Sequence, residues 1–312
     1  MTLPRRELVG YDSRLAAINA AGGLFVADRD VDLSLVRGQV LEGRVRALEV
    51  HTANLEPLRG LPLEHLFVVG VAADGAVLNT LTNLRGLALD RLTGSLPLSR
   101  LPKLEWFGIV ESAACQLEQL LRGGHSRLRW LSVGKYREPS LSAVAGLPQL
   151  THLSVINSRS LASLAGIGRL PRLRALGLAI CPKLEALDGI DETSALQSLV
   201  LDTCNRIENL DPLASAAQLR VLQIEMRSPP SLGPLVGHPT LEFVWLVGGK
   251  RPAAEIETLL ENPRLRMVNM KRATWIRTDD QWIHFDDVHA TTGSRLRLYE
   301  ELIDEVNRAK YC

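Results

Sequence analysis

LPQLTHLSVINSRSLASLAGIGRLPRLRALGLAICPKLEALDGIDETSALQSLVLDTC, residues 147–204, decides the fold. One pattern runs through it three times: an apolar residue, then two more three and five positions later. Leu150, Leu153 and Val155 carry it first, then Leu173, Leu176 and Leu178, then Leu196, Leu199 and Leu201. The last two residues of each set alternate with polar or small ones, as a strand with one buried face requires. Between strands, Leu161, Leu164, Ile167 and Leu170 recur at every third residue, the spacing of a 3₁₀ or short helical turn. The proline in LPQL and LPRL suits a restart of extended chain.

Working outward, the same start recurs at Val45, Leu63, Leu84, Leu104 and Leu128, and beyond the quoted stretch at Leu219, Leu241 and Leu265. That makes about eleven units with successive spacings of 18, 21, 20, 24, 22, 23, 23, 23, 22 and 24 residues. One such strand cannot bury its leucines alone, whereas stacked neighbours form a continuous core.

The pattern resembles the LxxLxLxxN/C motif of the leucine-rich-repeat family, in its bacterial-type irregular form of about 22 residues, over roughly residues 45–270. Cys181 and Cys204 stand at the family's Asn/Cys position. The resemblance implies an α/β leucine-rich-repeat solenoid. It would have a curved parallel β-sheet on the concave face and 3₁₀ turns, short helices and loops on the convex face. Ser112, Tyr136, Ser158, Arg227 and Gly249 hold the Asn/Cys position in other repeats, so a continuous asparagine ladder is absent.

Open solenoid ends expose core leucines and need caps. Residues 1–44 are read as an N-terminal cap, with a helix over 12–21 stopped by Gly22-Gly23 and a degenerate first strand at Leu24 and Val26. Residues 45–270 are the repeat domain. Residues 271–312 are a C-terminal cap: a hairpin around Thr278-Asp279-Asp280, then an amphipathic helix over 295–310 with Tyr299, Leu302, Ile303 and Val306 on one face.

Composition narrows the function classes. Hydrophobic residues make up 46% of the chain and aromatics only 4%, so the core is aliphatic. With 36 basic and 35 acidic residues the net charge is +1, which argues against nucleic acid or an anionic membrane surface as partner. No stretch has the length of a signal peptide or membrane span, and the four cysteines form no CxxC pair. A cytoplasmic protein with reduced thiols is expected.

Motifs of chemistry are sparse. There is no Walker loop, dinucleotide fingerprint, GxSxG elbow or HExxH helix, and Gly248-Gly249-Lys250 lacks the rest of a phosphate loop. His284, Asp286 and His289 are of types that could hold a transition metal, but a polar face on a capping hairpin explains them as well. Cys181 and Cys204 should lie near each other, buried and inert. No cofactor and no enzymatic activity are expected.

The strand positions that face away from the core are more informative. The third position, from the second repeat to the sixth, reads His65, Gly86, Trp106, Trp130 and His152. The fifth, from the third to the seventh, reads Ala88, Gly108, Ser132, Ser154 and Gly177. This predicts an exposed trough of small residues beside an aromatic wall, closed at one end by Phe67. Phe243 and Trp245 form a second aromatic pair. The expected binding residues are Phe67, Trp106, Gly108, Trp130, Ser132, His152, Ser154 and Trp245, with a protein or peptide as partner. Three functional readings stay open: a non-enzymatic binding module, a regulator or immunity-type inhibitor of a partner enzyme, and a metal-dependent activity in the C-terminal cap.

Overall fold

The computed structural model describes residues 24–27, 32–112, 116–270, 273–278, 281–285 and 300–305. The helix expected over 12–21, and Cys115, Asp286, His289, Tyr299, Val306 and Cys312, lie outside them. The chain divides into two compact units, Met1–Glu138 with Ala143–Ser158, and Pro139–Ser142 with Arg159–Cys312.

In the first unit seven strands follow one another in parallel: β1 (Leu24–Ala27), β2 (Ala47–Val50), β3 (His65–Asp74), β4 (Gly86–Thr93), β5 (Trp106–Glu111), β6 (Trp130–Gly134) and β7 (His152–Ile156). Each passes to the next through a short return, among them helices α1 (Leu33–Leu41), α2 (Gly75–Leu78) and α3 (Gln116–Leu121). Helix α1 was legible but unread: Asp32 caps it by accepting from Ser34 N at 2.9 Å, and Leu33, Val36 and Val40 are its buried face. Strand β3 is longer than its neighbours because a bulge between Val68 and Ala72 lets it pair with β4 a second time.

The second unit continues the pattern. Strands β8 (Ala175–Ala179), β9 (Ser198–Asp202), β10 (Val221–Glu225), β11 (Phe243–Val247) and β12 (Met267–Met270) are parallel. Strands β13 (Ala273–Thr278) and β14 (Gln281–Phe285) then turn back as an antiparallel hairpin against β12. Returns are mostly 3₁₀ turns, apart from helix α4 (Ala253–Leu260). Leucines at three-residue spacing form these turns because each N–H donates three residues back. Ile167 N reaches Leu164 O at 3.0 Å, Leu170 N reaches Ile167 O at 2.9 Å and Leu173 N reaches Leu170 O at 3.0 Å. No helix among the described residues is long and apolar enough to cross a membrane.

The strand starts read from the sequence reproduce the pairing register, Trp106 against Trp130 against His152 in one unit and Val221 against Phe243 against Met267 in the other. Fourth- and sixth-position residues such as Leu131, Val133, Leu199 and Leu201 are fully buried. At the ends of β6, β7, β8 and β9 the chain turns through one left-handed residue: Lys135, Asn157, Ile180 and Thr203, with φ of 53°, 55°, 56° and 54°. Side chains at the family's Asn/Cys position tie several of the strand ends together without an asparagine. Ser112 Oγ donates to Gly134 O and Lys135 O, both at 3.0 Å, Ser158 Oγ to Tyr136 O at 2.7 Å, and Cys204 Sγ to Leu178 O at 3.5 Å. Short polar side chains thus do the work that a continuous asparagine ladder would have done.

Ile180 and Thr203 are the costly members of the series, since a left-handed backbone strains a β-branched side chain by about 1–2 kcal/mol, and Ile180 has no polar group to offset it. It is 37% exposed, so it contributes little to the core. Ile180→Asn, which copies Asn157, is therefore expected to raise stability by about 1 kcal/mol. A urea midpoint at or below that of the parent would refute the strain argument.

The residue just before each strand carries an ordered feature. Its N–H donates to the carbonyl of its counterpart one coil earlier: Arg85 to Glu64 at 2.7 Å, Glu105 to Arg85 at 2.8 Å, Arg266 to Glu242 at 2.8 Å. Before β2 to β6, and again before β10 to β12, the side chains alternate in sign. In the first unit Arg46 meets Glu64 at 3.6 Å and Arg85 meets Glu105 at 2.8 Å. In the second, Arg220 meets Glu242 at 2.7 Å. Exposed pairs of this kind contribute at most about 1 kcal/mol each, so the ladder sets register more than stability.

Candidate functional site

In the first unit the third-position row is dominated by rings lying against the sheet. A side chain at Gly86 would overlap the Trp106 indole, so that glycine is the slot in which the ring lies. Beyond the slot, Trp106 stacks on His65, with centroids 6.2 Å apart and planes 18° apart, and leans on Phe67 at 5.4 Å. Trp130 lies flat on His152, 4.4 Å and 6° apart. The imidazole is held in that pose by Thr151, whose Oγ1 sits 2.8 Å from His152 Nδ1 and donates to Arg129 O at 2.9 Å.

The fifth-position row brings Phe67, Ala88, Gly108, Ser132 and Ser154 side by side. At its near end Glu49 is buried, with its carboxylate 3.0 Å from His51 Nε2. Ser132 and Ser154 face each other in register, and neither hydroxyl has a hydrogen-bond partner among the described residues. A buried polar group left in that state costs about 1–3 kcal/mol. At the far edge Lys135 pairs with Glu111 at 2.7 Å and holds its carboxyl below the usual range.

One expectation needs correction. These side chains were expected to be exposed, but Trp106 is 6%, Trp130 5%, His152 7% and Phe67 0% accessible. Ser132 and Ser154 are buried too. For Trp106 and Phe67 the cause is local: glycine at position 86 lets the indole drop onto the sheet, where it covers Phe67. Phe67 is therefore the floor beneath a ring and does not close a trough. The glycine-before-tryptophan pairing on adjacent strands was the signal to look for.

The second aromatic pair is corrected likewise. Phe243 is fully buried in a cluster with Val221, Met267, Ile276 and Leu302, and Trp245 and Ile303 pack against it. Residues 300–305 are helical, and Arg266 pairs with Glu305 at 2.6 Å. The C-terminal helix thus lies on the third-position row of β10, β11 and β12. Trp245 serves that contact and is only half-exposed.

Other candidates resolve simply. His284 leans on Trp275, with centroids 4.7 Å apart and planes 36° apart, and its companions Asp286 and His289 lie outside the described residues. Among the described residues no group of three or more His, Cys, Asp or Glu could hold a metal ion. Cys181 and Cys204 are buried thiols outside any disulfide, and hydrogen bonding between them together with burial pushes the Cys204 thiol far up.

Parallel strands in sequential order, joined by 3₁₀ turns at a period near 22 residues, are the leucine-rich-repeat fold. Among solved structures, an internalin (InlF) of Listeria monocytogenes superposes with a TM-score of 0.51 at 17% identity, covering 80% of this chain and 82% of that one. Internalin C2 of the same organism gives 0.39 at 19% identity over 65% of this chain and 77% of that one. A leucine-rich-repeat protein of Leptospira interrogans gives 0.35 at 14% identity, over 73% and 72%. No known family profile and no curated protein matches the sequence.

Proposed function

We propose that this protein is a non-enzymatic binding module whose partner is a polypeptide, held on the outward sheet face of the first unit at Trp106, Trp130 and His152. The observation that carries the reading is the Ser132–Ser154 pair, two adjacent buried hydroxyls with unmet hydrogen-bonding capacity beside a row of flat rings. A polypeptide backbone supplies donors and acceptors for such a pair, and rings beside it supply apolar contact. Because the hydroxyls are buried, a partner reaches them only as the side chains around them move. Binding and ring movement are therefore coupled.

The test is affinity capture from the native cell with the parent protein and with Trp106→Ala/Trp130→Ala. Truncating an aromatic anchor commonly costs about 2 kcal/mol, so the affinity of any captured polypeptide should fall at least about thirty-fold. Circular dichroism would establish that the variant keeps its fold. An unchanged affinity in a folded variant would remove the site from this face.

A further inference from the structure

A second surface lies in the first unit at the leading ends of β2 to β5, away from the aromatic rows. It is a cleft of about 560 Å³ lined by Val40, Leu41, Val45, Arg46, Pro62, Glu64, Asn83, Arg85, Lys103, Glu105 and Arg127, together with Gly43. Its two sides differ in chemistry. On one side Leu41 is 60% exposed, the most exposed large apolar side chain among the described residues, beside Val45 and Pro62. Burying such a side chain against a partner is favourable by up to about 2 kcal/mol, yet here it is left to solvent.

Cations line the other side, and only some are neutralised. Glu64 is taken by Arg46 at 3.6 Å, and Glu105 receives both Nε and Nη2 of Arg85, at 3.2 and 2.8 Å. Among the described residues Lys103 has only a neutral partner, Asn83 Oδ1 at 2.5 Å. The Arg127 guanidinium meets no carboxylate among the described residues. Both side chains are on exposed residues. Among the described residues the cleft thus holds two cations without counter-charges, together with an uncovered leucine.

We propose that this cleft takes an extended, acidic, leucine-bearing segment of a partner polypeptide. Carboxylates of the segment pair with Lys103 and Arg127, and its apolar side chain covers Leu41. Glu64 and Glu105 are each held by an arginine, and the two unpaired cations repel segments of basic charge. This surface is independent of the aromatic site, so the two can fail separately.

The test uses the full chain and a fluorescein-labelled Glu-Leu-Glu-Glu-Leu-Glu peptide, followed by fluorescence anisotropy. Saturable binding is expected, weakening several-fold as salt is raised from about 50 to about 200 mM, because exposed charges are screened over that range. Lys103→Glu with Arg127→Glu should weaken it about ten-fold or more, since attraction becomes repulsion. Leu41→Ser should weaken it by a smaller factor, and Trp106→Ala/Trp130→Ala should leave it unchanged. The proposal is overturned by any one of three results. These are no saturable binding, equal binding of the peptide with glutamine in place of glutamate, and indifference to the charge reversal in a protein with parental circular dichroism. Competition by millimolar inorganic phosphate as effective as by unlabelled peptide would also overturn it, by showing a site for any anion.

Discussion

Tyr136→Ala should cost about 3–5 kcal/mol, the range for removing a large aromatic side chain from a packed interior. Tyr136 is the largest fully buried side chain among the described residues and is only 1% accessible. It stands where neighbouring coils place serine or cysteine, so its ring fills space that those side chains leave to other residues. The backbone beside the cavity is held by the turn itself: Lys135 is left-handed, and Ser158 Oγ donates to the Tyr136 carbonyl at 2.7 Å. Burial, with the Glu138 charge adding to it, pushes the phenol far above its ordinary value, so the ring stays neutral and the loss should not change across pH 5 to about 9. Urea denaturation of the two proteins measures it. A loss below about 1 kcal/mol would mean the site repacks.

Gly134→Ala is expected to do comparable damage with a single methyl group. A Cβ at Gly134 would overlap Val110 O and lie 2.8 Å from Val110 C, both backbone atoms, so no side chain can swing aside. Nor can the glycine retreat, because its carbonyl accepts from Ser112 N at 3.1 Å and Ser112 Oγ at 3.0 Å. The strand ends must separate, breaking these bonds, and the cost should reach or exceed the roughly 3 kcal/mol at the top of the usual overpacking range. Gly146 is the control. It has open space around it and no left-handed φ, so Gly146→Ala should be nearly neutral. Equal denaturation midpoints for Gly134→Ala and Gly146→Ala would show that the close approach carries no energetic weight.

The repeat was legible because its signal is redundant. Strand starts at a spacing near 22 residues, each with leucines in phase, determine pairing partners and register together. That suffices to set Trp106 beside Trp130 and Ser132 beside Ser154. The bulge in β3 left no comparable trace, since Val69 and Gly70 break the pattern without saying how.

Exposure was the weaker part of the reading, for a physical reason. Periodicity says which way a side chain leaves the sheet but not what lies on top of it. Trp106 is buried by a contact with Gly86 on the neighbouring strand, which a column-by-column reading could have caught. Phe243 is buried by Leu302, nearly sixty residues later in sequence. No local pattern encodes that contact. The two cations and the leucine of the cleft were likewise invisible as a set, because they come from three different returns.

The ladder of alternating charges before the strands gives the first unit a parity. Each coil carries the sign opposite to the one before it, from Arg46 through Glu64 and Arg85 to Glu105. Excising the coil that bears Arg85 would set Glu64 against Glu105, like against like. Excising that coil together with the next would set Glu64 against Arg129 and restore the alternation. Such an array is lengthened or shortened at least cost two coils at a time. The smallest interchangeable piece of this chain is therefore a pair of coils, twice the period that its leucines display.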